Sequence, residues 1–229
     1  MSKPFHIIGL VGPAACGKDT IGDLLVTHCG FKKLAFADAL RAEVAGAFAV
    51  EPMYLVRRET KEQAMSALAL NRCLDPNFED CMLAWHYRTA QAANRPLLDM
   101  VAPRSPRQIM QWWGTEYRRA RDARYWVSRM VERLTYGRRK LGETRFVLTD
   151  VRFENEADML REYGGSLWQV KRPGTELARP AHASDTTGEA FAPDVVINNA
   201  HDIRHLQQLV LSEFYSRDSG VPLRVEVIA

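Results

Sequence analysis

The chain has 229 residues, 46% hydrophobic and 26% charged, and carries a net charge of +3. This composition excludes collagen-like, low-complexity and fully disordered chains, and the length suits one large domain or a domain with insertions. No apolar run approaches the ~20 residues of a membrane span, no signal peptide is visible ahead of Phe5, and the four cysteines lack a zinc spacing, so a reduced, cytoplasmic protein is expected.

Phe5 to Val11 is a short apolar run bounded by glycine, the pattern of a buried parallel strand. Gly12 to Thr20 reads as a loop and Ile21 to Cys29 as a helix, with a second, alanine-rich helix over Ala37 to Val50. Glu51 to Arg104 is broken by polar residues and prolines and reads as short helices and loops, the kind of insertion that carries a substrate pocket. Ser105, Pro106 and Gln108 form a capping arrangement that opens the next helix. A further amphipathic helix is expected over Tyr125 to Leu141, a strand over Arg145 to Thr149, and a helix over Phe153 to Tyr163 closed by Gly164 and Gly165. Leu167 to Lys171 and Val195 to Asn198 are strands, and His201 to Arg217 is the last helix. Strands alternating with helices predict an α/β domain with a largely parallel sheet. Arg172 to Asp194 is too long for an ordinary connection and reads as a mobile loop.

The strongest motif is GPAACGKDT, Gly12 to Thr20, between a strand and a helix. It fits the phosphate-binding loop G-x-x-x-x-G-K: glycines let backbone N–H groups wrap a phosphate, the helix N-terminus adds favourable field, and Lys18 adds a point charge. The residue after the lysine is Asp19, where a hydroxyl normally binds Mg²⁺, and a hydroxyl follows only at Thr20. Asp19 and Thr20 are therefore the candidate metal residues, with helix capping as the other reading of Asp19.

Of the 31 cationic residues 24 are arginine, and Arg104 to Arg152 carries a balance of +8. Arginine favours bidentate recognition of phosphate or carboxylate, although a solvated helix surface is the plainer reading for most of them. At 100° per residue Arg107, Gln111, Gly114 and Arg118 share one helix face. There the glycine suggests close approach of a ligand, and Trp112 and Trp113 lie beside it, one of them expected in the core. Asp150 directly after a buried strand, with Arg152, is placed for Mg²⁺ or a substrate group at the sheet's carboxyl edge. Arg172 and Arg179 occupy the long loop, whose closure would bring their charge to a transferring phosphate.

Together, GKDT, the Met110 to Glu116 stretch with Arg119 and Trp126, and DVRFENEAD followed by Gly164 and Gly165 resemble the deoxynucleoside monophosphate kinases of tailed bacteriophages. The resemblance runs from Ile7 to about Leu209 and includes Asn199. It implies a P-loop kinase three-layer fold: one domain, a helical acceptor insertion over about 37–126 and a lid over about 172–194. ATP would lie against Gly12, Ala14, Ala15, Cys16, Gly17, Lys18, Asp19, Thr20, Arg172 and Asn199. The monophosphate would lie against Ala37, Asp38, Arg41, Gln111, Trp112, Gly114, Thr115, Arg118, Arg119, Asp150 and Arg152. Lys18, Arg152, Arg172 and Arg179 would act on the transferring group with Mg²⁺. The alternatives are a phage kinase acting on hydroxymethylated bases in DNA, a kinase of the dephospho-coenzyme A or phosphomevalonate type, and a non-catalytic ATP-binding module. The preferred base, selection against ribose and assembly into a homodimer stay open, and Glu51 to Pro103 and Val221 to Ile228 match nothing in the family.

Overall fold

A computed structural model describes residues 5–57, 59–93, 98–175 and 191–219. Arg179, most of the 172–194 loop and Val221 to Ile228 lie outside the described residues. The chain divides into two compact units, 1–35 with 131–229, and 36–130.

The first unit is built on a five-stranded, all-parallel sheet in the order β2-β3-β1-β4-β5. Its strands are β1 (His6–Val11), β2 (Lys32–Leu34), β3 (Arg145–Leu148), β4 (Ser166–Lys171) and β5 (Val195–Asn198). Central strands are buried on both faces, which is why β1 and β3 are nearly continuous apolar runs, while β4 buries Gln169 among Leu167, Trp168 and Val170. Ile8, Leu10, Val147, Trp168 and Val170 pack on one face against α1 (Lys18–Cys29) and α8 (Ile203–Ser219) through Ile21, Leu25, Leu206, Val210 and Phe214. On the other face Gly9 meets Leu160 of α7 (Glu154–Glu162), and Phe146 meets Gly137 of α6 (Tyr125–Lys140). Helix, sheet and helix make three layers, as expected.

The second unit is helical: α2 (Phe36–Ala47), α3 (Pro52–Val56), two short 3₁₀ turns, α4 (Pro76–Ala93), α5 (Pro106–Gln111) and a π-helical segment Trp112–Arg119. The residues Tyr125–Met130 of α6 complete it. Phe48, Phe78, Trp113 and Tyr117 cluster at its centre, edge to face except for the tilted Phe78–Trp113 pair, with Leu55, Leu68, Leu70, Met82 and Ile109 fully buried. The predicted cap of α5 forms, Ser105 Oγ accepting from the Gln108 N–H at 3.2 Å.

Four sequence expectations need correction. α1 begins at Lys18, not Ile21, because the Ile21 N–H already reaches Gly17 O at 3.0 Å. α2 ends at Ala47 instead of Val50, with Ala49 left-handed at φ 50° just beyond it. A fifth strand, β2, joins the four that were expected; three residues, two of them lysine, give it no apolar run. The 18-residue α4 runs through the stretch read as short pieces. No helix of the described residues is long and apolar enough to cross a membrane.

Candidate functional site

Four strands of the first unit end at one edge of the sheet and bring most of the predicted phosphate residues together. β1 runs directly into Gly12, whose φ of 147° only glycine adopts readily; a Cβ there would stand 2.4 Å from the backbone oxygen of Val170 on β4. Ala14 and Ala15 are exposed at the crest, Ala15 left-handed at φ 63°. Cys16 turns inward and is fully buried in the core. Gly17, at φ 111°, closes the loop, and a Cβ on it would meet Asn199 Nδ2 at 2.5 Å.

Asn199, just past β5 and 9% exposed, is part of this construction. Its Nδ2 donates to Cys16 O at 2.8 Å and its N–H donates to Lys171 O at 2.7 Å. The amide thus holds the loop backbone from below. Lys18 Nζ donates to Gly12 O at 2.7 Å and to Pro13 O at 2.6 Å, so the loop curls around its own lysine. Burial pushes the Lys18 ammonium below its ordinary range, and the Arg152 guanidinium pushes it the same way.

β3 delivers the acidic motif beside this loop. Thr149 N–H donates to Leu34 O at 3.1 Å and Val151 N–H to Leu10 O at 3.2 Å, which pins Asp150 between the ends of β2 and β1. Glu156, buried to 1% exposure, accepts the N–H groups of Arg152 at 2.8 Å and Phe153 at 3.2 Å. It fixes the turn while the Arg152 side chain stays exposed. Glu156 was missed as a site-supporting residue; its place at the third position of α7 was the available signal. Arg172 leaves β4 and donates through Nη1 to Ala15 O at 3.4 Å. Lys18, Arg152 and Arg172 therefore surround one loop with positive charge.

Asp19 is 84% exposed on the first turn of α1 and pairs with Lys33 at 3.3 Å, and Lys33 also holds Asp23 at 2.9 Å. Thr20 is half-buried beside it. No three His, Cys, Asp or Glu gather into a metal cage among the described residues. One carboxylate and one hydroxyl nevertheless suit Mg²⁺, which keeps several waters and takes its remaining oxygens from phosphates.

In the second unit, Ala37, Asp38 and Arg41 lie half-buried on α2, with Arg41 Nη1 on Asp38 Oδ1 at 3.1 Å. Gln111, Trp112, Thr115, Arg118 and Arg119 are half-buried along α5 and the π segment. Trp112 lies 6.2 Å from Trp85 with Arg104 over its ring, and Trp113 is the core member of the pair.

The helix face drawn through Arg107, Gln111, Gly114 and Arg118 does not survive. A π-helix bonds i to i+5, so its wider turn aligns residues five apart. Trp113 and Arg118, about 140° apart in an α-helix, come to one side and share Glu43 Oε2, at 2.9 and 2.8 Å. The room at Gly114 is filled from within the unit: a Cβ there would lie 3.3 Å from Leu40 Cδ2, and Trp126 Nε1 donates to Gly114 O at 3.0 Å. The glycine admits packing neighbours, which replaces the inference of an approaching ligand.

Over residues 60–210, more than half of the chain, the sequence matches the family model described as deoxynucleotide monophosphate kinase. A protein of Acanthamoeba polyphaga mimivirus, provisionally named a deoxynucleotide monophosphate kinase, is 25% identical over 226 residues, covering 92% of this chain and 93% of the relative. A deoxynucleoside-5′-monophosphate kinase of Escherichia phage T5 is 27% identical over 183 residues, covering 68% of this chain and 72% of the relative. Among solved structures, a gluconokinase from Sinorhizobium meliloti 1021 aligns over 97% of this chain and 99% of its own at 14% identity, with a TM-score of 0.43.

Proposed function

The chain belongs to the deoxynucleotide monophosphate kinase family, and on that premise we propose that it transfers the γ-phosphoryl group of ATP to a deoxynucleoside 5′-monophosphate, giving ADP and the diphosphate. The observation that carries the reading is the gathering of Lys18, Arg152 and Arg172 around the loop from Gly12 to Thr20. The loop N–H groups and Lys18 hold the β- and γ-phosphates of ATP, and Asn199 contributes by fixing the loop's shape. Mg²⁺, held through Asp19 and Thr20, supplies charge neutralisation across the β- and γ-phosphates. The second unit is the acceptor insertion: Ala37, Asp38 and Arg41 on α2 and Gln111, Trp112, Thr115 and Arg119 on the facing segment bind the monophosphate, with Gly114 and Arg118 as their support.

The attacking phosphate oxygen is already anionic at neutral pH, so no strong protein base is required. Positioning and charge neutralisation lower the barrier, and Asp150 serves as a binder or metal organiser. The rival reading, a kinase for modified bases in duplex DNA, leaned on the arginine-rich stretch. Many of those arginines are engaged internally: Arg104 on Asp99 O, Arg107 on Glu62, Arg118 on Glu43, Arg121 on the Tyr117 ring and Arg145 on Cys29 O. That supports a nucleotide acceptor.

The deciding experiment incubates the protein with ATP, Mg²⁺ and a panel of deoxynucleoside monophosphates, ribonucleoside monophosphates and hydroxymethylated duplex DNA, following ADP release. Release with a deoxynucleoside monophosphate is expected. Release with the DNA alone, or ATP binding without transfer to any acceptor, overturns the proposal.

Two variants refine the roles. Arg172→Ala should lower kcat more than it raises KM for either substrate if its charge acts on the transferring group. A raised KM for ATP at unchanged kcat would instead mean stacking of the guanidinium on the adenine ring. The second concerns pH. With the Lys18 ammonium lowered from its ordinary 10.5, its charge is lost earlier, as pH rises, than in a free lysine. The alkaline fall of kcat/KM for ATP should therefore lie below 10.5. Arg152→Gln removes a neighbouring positive charge and should move that fall to higher pH. A fall that stays put would detach it from Lys18.

A further inference from the structure

Glu43 carries no motif and has no place in the reading above, yet four side chains of the second unit converge on it. Its Oε2 accepts from Trp113 Nε1 at 2.9 Å and from Arg118 Nε at 2.8 Å, and its Oε1 accepts from the Tyr125 hydroxyl at 2.5 Å. Arg129 Nε stands 4.0 Å from the same carboxylate. The paired side chains are withdrawn from solvent, Arg118 being 24% and Glu43 19% exposed. The Arg118 guanidinium lies over three rings, Trp113 at 5.3 Å, Tyr117 at 4.5 Å and Tyr125 at 5.0 Å. Leu40, three residues before Glu43 on α2, fills the space over Gly114. One carboxylate thus ties α2, both ends of the π segment and the start of α6.

We propose that Glu43 is the positioning residue of the acceptor site: it holds Trp112–Arg119 in its wide turn and sets how α2 meets it. The proposal rests on the reading that α2 and this segment bind the monophosphate. A π turn places residues five apart on one side only while something holds it so. Glu43 does this by binding residues 113 and 118 through a single oxygen. Relaxation toward α-helical register would turn Thr115 and Arg119 about the helix axis relative to Gln111, which lies before the segment. Asp38 and Arg41, on the same helix as Glu43, would lose their fixed relation to all three. Arg118 acts through this network and is spent on it, so it is a positioning residue as well.

The test uses the full chain with Glu43→Gln, Tyr125→Phe and Gln111→Ala, varying ATP and the deoxynucleoside monophosphate in turn and following thermal unfolding in parallel. A glutamine keeps one acceptor oxygen and removes the counter-charge that Arg118 touches directly, leaving the more distant Asp75. Glu43→Gln is expected to raise KM for the monophosphate about tenfold, the loss of one charge-assisted hydrogen bond, with KM for ATP unchanged. Tyr125→Phe, which removes one donor without stranding a charge, should raise the same KM by less, and it carries the test if Glu43→Gln fails to fold. Equal rises in both KM values, or a lowered Tm with the monophosphate KM unchanged, overturn the proposal and leave Glu43 a stabilising residue only. An unchanged monophosphate KM in Gln111→Ala would overturn the underlying acceptor reading instead, whatever Glu43 does.

Discussion

Lys18→Ala should leave the protein folded and lower kcat/KM for ATP by about 10³-fold, the upper range for losing one preorganised charge donor. The two sides of this expectation have separate causes. Lys18 is largely buried and its ammonium is disfavoured by that burial, so removing it relieves a desolvated charge. Its hydrogen bonds to Gly12 O and Pro13 O are lost, but both carbonyls stand at a half-buried loop where water can replace them. The Tm should therefore stay near that of the parent protein. Among the described residues no other side chain supplies a positive charge from inside the loop, and Arg152 and Arg172 approach it from outside. Unfolding monitored by circular dichroism, beside steady-state kinetics, separates the two effects. A folded variant with near-normal turnover would remove Lys18 from the chemistry.

Gly12→Ala should be damaging in both respects at once. The added methyl would lie 2.4 Å from Val170 O and 3.0 Å from Cys16 Sγ, and the first of these is backbone in a central strand that cannot step aside. The φ of 147° adds strain for any residue with a Cβ, of order 1–3 kcal/mol. The loop must then leave its position, carrying the phosphate-facing N–H groups with it. A Tm lowered by roughly 2–10 °C and activity below detection are expected. Unchanged ATP binding in this variant would mean that the loop's shape is not what binds phosphate.

The sheet and the phosphate loop were legible because burial on both faces leaves a one-dimensional mark. β1 and β3 are apolar runs, β4 is apolar apart from Gln169 between its ends, and Lys18 follows the first of them at the right spacing. β2 leaves no such mark, since Lys32 and Lys33 on a short edge strand look like loop. α4 was hidden because its buried line, with Phe78 and Met82 fully enclosed, is narrow and the rest of the helix is mixed. The π segment is a harder case. Its register is set by packing against Glu43, Leu40 and Trp126, not by any period in WWGTEYRR, so an assumed 100° per residue put Gly114 and Arg118 on the wrong side. Glu43 itself was invisible: the three side chains that hydrogen-bond to it lie 70, 75 and 82 residues along the chain. Asn199 was found through resemblance, but its task of holding Cys16 O needed the fold.

Residues 36–130 leave the sheet after β2 and return within α6 as one unbroken stretch. The arrangement has an evolutionary consequence. Such a stretch can lengthen, recombine or drift as a cassette, because none of its codons encodes Gly12, Lys18, Asp150 or Asn199. The Glu43 network lies wholly inside it and travels with it. If the acceptor site lies mainly in this stretch, as proposed above, selection on the choice of base and selection on the speed of transfer act on largely separable parts of one reading frame.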